Sequence, residues 1–350
     1  MTLHVVQIKH PAQGRKVGLI EGERVHLLLR FPSVYYAALS ADTNGKTLSE
    51  TLLDDRSGET LAYPPIYRGE SPWRLLPPFD HPEEPARCMV SGTGLTHRKG
   101  AENRNAMHTQ ALPLPNSPVH QGEAKELPAP LTDSMKIYAW GEEGGKPEAG
   151  IVGVQPEWFY KGNGTILRAH NEPLDVPNFA EDGGEEPELV GVYFIDSFGV
   201  PRRIGFCIGN EFSDHVMEKR NYLYLAPSKL RNCAIGPELI LGEIPAMISG
   251  EVKITRNELP LWQQAISTGF EEMVHSLENL EHHHFKYPAH KRAGDVHLHF
   301  FGTGAFSFGA GITLQEGDLM QISLDGFGPP LVNPLRRDSS PLSPTLVLEI

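Results

Sequence analysis

The chain of 350 residues carries 44 acidic and 31 basic side chains, a formal net charge of −13, with 39% hydrophobic residues. That balance excludes a basic nucleic-acid surface, and no apolar run reaches the roughly 20 residues of a membrane span. Three cysteines without a C-x-x-C spacing fit a reducing cytoplasm better than a disulfide scaffold, and Met1-Thr2-Leu3-His4 shows neither the basic nor the apolar region of an export signal.

Leu3–Ile8, Lys16–Ile20 and Arg24–Leu29 read as strands separated by turns at Gln13-Gly14 and Glu21-Gly22. Val34–Asp54 reads as a helix that Asn44-Gly45 divides, with Ser49 as cap of the second piece. The prolines from Pro64 to Pro85 form a stiff connector, which places a domain boundary there: residues 1–85 as a small separate unit, residues 86–350 as the larger one. Cys88-Met89-Val90 leads into the glycine-rich turn Ser91–Gly94, residues 111–130 are a proline-rich loop or flap, and Thr132–Trp140 is a short helix. Glu188–Ile195 and Arg203–Ile208 are strands joined by a turn around Phe198-Gly199, Ser213–Arg220 has helical character, and Asp295–Phe301 and Met320–Leu324 are strands. The fold class is α+β and β-rich.

Glu186 and Glu188 stand two apart at the start of a strand, so their carboxylates share a face. Pro187 between them cannot donate to a ladder, which suits a strand's first residues. A turn centred on Phe198-Gly199 puts Glu188 opposite Gly209–Asn210 and brings Glu211 within one or two residues of the pair. Three converging carboxylates with no basic residue among them repel, and a divalent cation resolves the repulsion. All-oxygen ligands favour Mg2+, Mn2+ or Ca2+ over Zn2+. The alternative is a solvated acidic loop.

Glu186-Pro187-Glu188-Leu189, Gly205-Phe206 and Gly209–Asp214 resemble the metal-binding core of the fumarylacetoacetate hydrolase superfamily. Pro156–Lys161, Lys229, Gly302-Thr303-Gly304, Gly317-Asp318 and Asn333-Pro334 match further motifs in order, so the resemblance spans residues 75–337. The wording of Gly209–His215, Tyr222–Arg231 and His282–Tyr287 is similar to the sugar-acid branch, which includes 2-keto-3-deoxy-pentonate dehydratases. The resemblance implies a mixed β-roll catalytic domain behind a small N-terminal domain, a homodimer, and a divalent ion held by Glu186, Glu188 and Glu211. Glu211 departs from the aspartate most relatives carry.

The same resemblance implies the roles. His97 is the acid/base candidate, but Gly100 stands where relatives place its glutamate partner, leaving Glu102 as the nearest acidic substitute. Lys161 and Lys229 hold the substrate carboxylate or orient a metal ligand, and Thr303 with the Gly302–Gly304 amides binds carboxylate oxygens. His215 and Glu218 replace an arginine and a glutamine, which suggests contacts to substrate hydroxyls rather than to a second carboxylate. The implied reaction is metal-dependent dehydration of a 2-keto-3-deoxy sugar acid, a pentonate, to 2-oxoglutarate semialdehyde. The alternatives are a C–C bond hydrolase of a diketo acid on the same site and a non-catalytic sugar-acid binding protein. His282-His283-His284 reads as a polar surface turn, His297 and His299 as a packed or dimer-facing pair, and the cysteines as non-nucleophilic.

Overall fold

The computed structural model describes residues 2–109 and 131–350, so the segment 111–130 lies outside the described residues. Alternating apolar residues make the first three strands, Leu3–His10, Gly14–Glu21 and Arg24–Leu28. Ser33 caps the helix Val34–Asn44. The following helix, Leu48–Leu53, is capped by Thr47 in a reciprocal box with Glu50 rather than by Ser49, because the chain is still extended at Thr47. Thr132 caps a helix that runs to Gly144, beyond the expected Trp140.

The first 85 residues share a sheet with later strands. Leu3, His4 and Val5 pair with Leu241, Ile240 and Leu239, which joins the N-terminal strands to the hairpin Pro187–Ile195 and Pro201–Asn210 in one thirteen-stranded mixed sheet. The core follows the sheet across the expected boundary, since Val5, Val17, Leu19 and Phe79 pack in one cluster with Val190, Phe194 and Leu298. The proline connector instead folds into a short helix, Tyr63–Tyr67, and a two-residue strand, Arg74-Leu75, which pairs with Leu3–His10.

The hairpin is sandwiched. Val190, Val192 and Phe194 face the first core cluster, and Leu189, Tyr193 and Ile195 face a second. The strand is therefore buried on both faces, which explains its continuous apolar wording after Glu188. The second cluster is closed by a five-stranded sheet built on Ile248–Arg256, Leu259–Thr268, Leu319–Leu324, Leu331–Arg337 and Leu174–Val176. Val296–Phe300 lies between Pro187–Ile195 and Cys88–Gly92 and is buried throughout.

His282–His284 is the last turn of a helix, Leu277–Phe285, rather than a polar surface turn, and His283 and His284 are buried. His284 Nε2 lies 3.0 Å from His297 Nδ1. His299 meets the Ser91 and Thr93 hydroxyls at 2.9 and 2.8 Å. Burial pushes His297 and His299 down to about 3, so both are neutral packing groups near pH 7. No helix among the described residues is long and apolar enough to cross a membrane.

Leu298 is fully buried at the centre of the large sheet, whereas Phe198 at the hairpin tip is 88% exposed. Leu298→Ala should cost about 2–5 kcal/mol and Phe198→Ala less than about 0.5 kcal/mol in urea unfolding. Equal effects would contradict the placement of the core.

Candidate metal centre

The hairpin register delivers the three carboxylates. Glu188 pairs with Gly209 and Pro187 with Asn210, and the Glu211 amide donates to the Glu186 carbonyl at 2.9 Å just beyond the ladder. One ligand oxygen from each of Glu186, Glu188 and Glu211 then lies within 4.8 Å of the others, and all three residues are buried. The chain continues through a bridge between Gly184 and Ser213. A side chain at Gly184 would collide with the His215 ring, its Cβ falling 2.6 Å from Nδ1. Gly302 turns at φ +90° and donates its amide to Glu188 Oε2 at 2.7 Å. Its left-handed backbone and the Thr96 hydroxyl, 2.2 Å from where a Cβ would sit, both require glycine there.

The expectation that no basic residue stands among the carboxylates is corrected. Lys229 Nζ lies 2.5 Å from Glu186 Oε1, 2.6 Å from Glu211 Oε2 and 2.9 Å from Ser213 Oγ. Lys161 Nζ donates to the Phe212 and Lys229 carbonyls at 2.6 and 3.1 Å and touches Glu211 Oε1 at 2.6 Å, outside good hydrogen-bond alignment. Both lysines spend their N–H donors beneath the triad. They position ligands, and neither lines the cavity above them. Sequence could not show this, because the contacts join residues tens of positions apart.

Two lysines do not balance the site. Glu186, Glu188, Glu211 and the neighbouring Glu157 and Glu218 set five carboxylates against three permanent cations, Lys161, Lys229 and Arg104. Burial opposes ionisation of Glu186, but Lys229 and His215 outweigh it and hold its carboxyl well below the usual range. Burial, then Glu211 and Glu186, push Glu188 well above it. Burial also raises Glu211 against the pull of Lys161 and Lys229. A divalent cation would offset the remaining negative charge, and each of the three carboxylates keeps an oxygen lone pair for it. The residues therefore fit a hard divalent ion.

Above the triad is a narrow cavity of about 20 Å3, room for about one water. Arg104, Met107, Phe159, His215, Glu218, Thr303 and Phe306 share in lining it. His215 Nε2 meets Glu186 Oε1 at 3.0 Å, and its ring stacks on Phe306. Burial opposes the imidazolium, but the hydrogen bond and charge of Glu186 prevail and raise its pKa.

No protein-family profile matches the chain. A probable 2-keto-3-deoxyxylonate dehydratase of Haloferax volcanii is 28% identical over 182 residues, 50% of this chain and 58% of the relative. A 2-dehydro-3-deoxy-D-arabinonate dehydratase of Saccharolobus solfataricus is 30% identical over 120 residues, 33% of this chain and 39% of the relative. The chain thus matches less than two thirds of the length of either relative. A 2-keto-3-deoxy-D-arabinonate dehydratase complexed with magnesium and 2,5-dioxopentanoate superposes with a TM-score of 0.67 at 18% identity, covering 96% of this chain and all of that one. A 5-carboxymethyl-2-hydroxymuconate delta-isomerase from Mycobacterium smegmatis gives 0.57 at 16% identity, over 97% of this chain and all of that one. In fold the chain is similar to these solved dehydratases and isomerases, and over part of its length its sequence is similar to 2-keto-3-deoxy-pentonate dehydratases.

Within this fold, the expected site residues separate into two groups. Glu186, Glu188, Glu211, His215, Glu218, Lys161 and Lys229 come together, and Thr303 lines the same cavity with its hydroxyl turned back to the Ala305 carbonyl at 2.8 Å. His97 and Gly304 line a second cavity, of about 330 Å3. His97 is buried between the Thr96 and Thr268 hydroxyls, at 2.8 and 3.1 Å. The Thr96 hydroxyl donates to the Phe301 carbonyl, so it accepts from His97 Nδ1, and the ring is neutral. Burial alone pushes His97 down to about 4. Glu102 is exposed on the helix Arg98–Thr109, with no hydrogen bond to His97 among the described contacts.

Arg104, Glu157 and Tyr222 are functional candidates that sequence reasoning passed over. Arg104 Nη1 meets both Glu157 oxygens at 3.0 and 2.8 Å, its Nε lies 2.7 Å from Glu218, and the Tyr222 hydroxyl donates to Glu157 at 2.8 Å. Glu157 stands inside the recognised Pro156–Lys161 motif, which was the available signal. Arg104 had none, because its helix is polar almost throughout.

Millimolar Mg2+ should raise the melting temperature by an amount that corresponds to about 2.7 kcal/mol at a hundredfold excess over Kd. Glu188→Gln should abolish that shift and leave the metal-free protein at least as stable, since it removes a buried charge that its neighbours repel. An undiminished Mg2+ shift in Glu188→Gln would contradict the ligand assignment.

Proposed function

We propose that the chain dehydrates a 2-keto-3-deoxy sugar acid, a pentonate, to 2-oxoglutarate semialdehyde with Mg2+ held by Glu186, Glu188 and Glu211. The observation that carries this reading is the buried triad, three carboxylates against two lysines, with Glu186 and Glu188 in the wall of a narrow cavity that protonatable side chains share. The dehydratase names of its sequence relatives support the substrate class.

A divalent cation held by Glu186, Glu188 and Glu211 would supply the Lewis acidity that makes the C3 proton of a 2-keto acid removable. The chain's own groups do the rest. Lys229 and Lys161 fix the triad from below, and the Gly302 amide fixes Glu188. The C3 proton and C4 hydroxyl leave as one water, giving the C3=C4 enone; moving a C5 proton to C3 gives the C4=C5 enol, and passing its O–H proton to C4 delivers the terminal aldehyde. His215 and Glu218 are the cavity-lining groups placed to take and return these protons, and Phe159, Phe306 and Met107 exclude bulk water. His97 reaches the substrate only if the segment around it moves.

Incubation with 2-keto-3-deoxy-pentonate and Mg2+ should yield semialdehyde, trapped as a hydrazone, and EDTA should stop it. Two acids as products, or turnover in a chelated, metal-free sample, would overturn the reading. His215→Asn should lower kcat by about 10²-fold or more, the scale of a lost general acid or base, while Mg2+ affinity by calorimetry stays within severalfold. His97→Asn should have the smaller effect on exchange of the C3 hydrogen with D2O; a larger loss for His97→Asn would return the role to His97.

A further inference from the structure

We propose that Glu218, positioned by Arg104, makes the cavity select 2-keto acids with an uncharged, hydroxyl-bearing tail and reject those that end in a second carboxylate. The inference rests on the keto-acid reading of the metal centre and concerns the other end of the ligand.

His215, which touches Glu186, and Glu218 lie one helical turn apart on His215–Arg220. Glu186, Glu188 and Glu218 line the same cavity, so a ligand held at the triad would have Glu218 in its wall. An arginine in such a wall would ordinarily receive a carboxylate, since its fork matches one. Here Arg104 is already engaged: Nη1 donates to both Glu157 oxygens, and Nε lies 2.7 Å from Glu218 Oε1 outside good hydrogen-bond alignment, which leaves that buried oxygen without a hydrogen-bond donor. The three side chains are buried together with one negative charge uncompensated. Burial opposes the guanidinium's charge, yet Glu157 and Glu218 outweigh it and keep Arg104 firmly protonated. A second carboxylate brought here would meet like charge in a poorly solvated cavity. A hydroxyl would donate to Glu218, a charge-assisted bond. Arg104 acts through Glu218, by fixing where that carboxylate points.

Three five-carbon ligands that cannot lose water from C4 isolate the tail: 5-hydroxy-2-oxopentanoate, 2-oxopentanoate and 2-oxoglutarate. Calorimetry on the Mg2+-loaded protein should rank them in that order, with about 10-fold between the hydroxyl and methyl tails, the scale of one hydrogen bond to a charged group. Glu218→Gln should erase most of the hydroxyl preference, leave 2-oxopentanoate unchanged and tighten 2-oxoglutarate. Arg104→Lys, which keeps the charge but not the fork, should reduce the hydroxyl preference without weakening 2-oxopentanoate. Wild-type protein that binds 2-oxoglutarate as tightly as the hydroxy acid would overturn the proposal, and that ranking decides the matter even if a variant fails to fold. Glu218→Gln that shifts all three affinities equally would overturn it as well. Failure of 2-oxopentanoate to bind at all would overturn the keto-acid reading itself, and this inference with it.

Discussion

One buried ammonium organises the candidate site. Lys229 Nζ, fully enclosed, joins a strand-start glutamate to the glutamate beyond the partner strand and is held by Ser213 between them. Burial alone would strip its proton, but Glu186 and Glu211 reverse that and raise its pKa. An isolated charge at such a position is too costly to exist, and so are the carboxylates without it. Hairpin, lysine and triad therefore form or fail as one unit. The lysines leave the triad one positive charge short, which a bound cation would supply.

The polar network is expensive in stability and justified by geometry. Glu186, Glu188 and Glu211 converge only because a hairpin buried on both faces fixes their register. Glu185, next in the chain, is buried too, and its carboxylate accepts the Ser307 amide and hydroxyl at 2.6 and 2.8 Å. That contact ties the loop after Gly302–Gly304 to the strand that carries the ligands. The large sheet in turn anchors the N-terminal strands through Leu3–Val5, so residues outside the resembling segment help to hold the hairpin flat.

The hairpin register was legible because strand side chains alternate with period two and the Phe198-Gly199 turn leaves little freedom of pairing. Glu186, Glu188 and Glu211 followed from it. The resemblance offered both lysines as groups that hold substrate or orient a metal ligand, but their place among the carboxylates was not legible from the strand pattern, since a pairing between Lys229 and Glu186 spans 43 positions and leaves no periodic trace. That the N-terminal strands join the sheet of the hairpin was not legible, because proline content reports local stiffness, not which edge of a sheet a strand joins. Thr47 was missed as a cap because both it and Ser49 are good caps, and only the helix start distinguishes them. The histidine run failed for another reason. Histidine has no strong burial preference, so the packing of His284 against His297 depends on tertiary context alone.

The central claim is that the triad holds one divalent cation in the cavity floor. Anomalous diffraction from crystals grown with Mn2+, which takes the same oxygen ligands as Mg2+, tests it most directly. The account predicts one Mn2+ per chain, bonded to carboxylate oxygens of Glu186, Glu188 and Glu211 at roughly 2.0–2.3 Å. An anomalous map with no peak at the triad, or with Mn2+ bound only elsewhere on the chain, would contradict it.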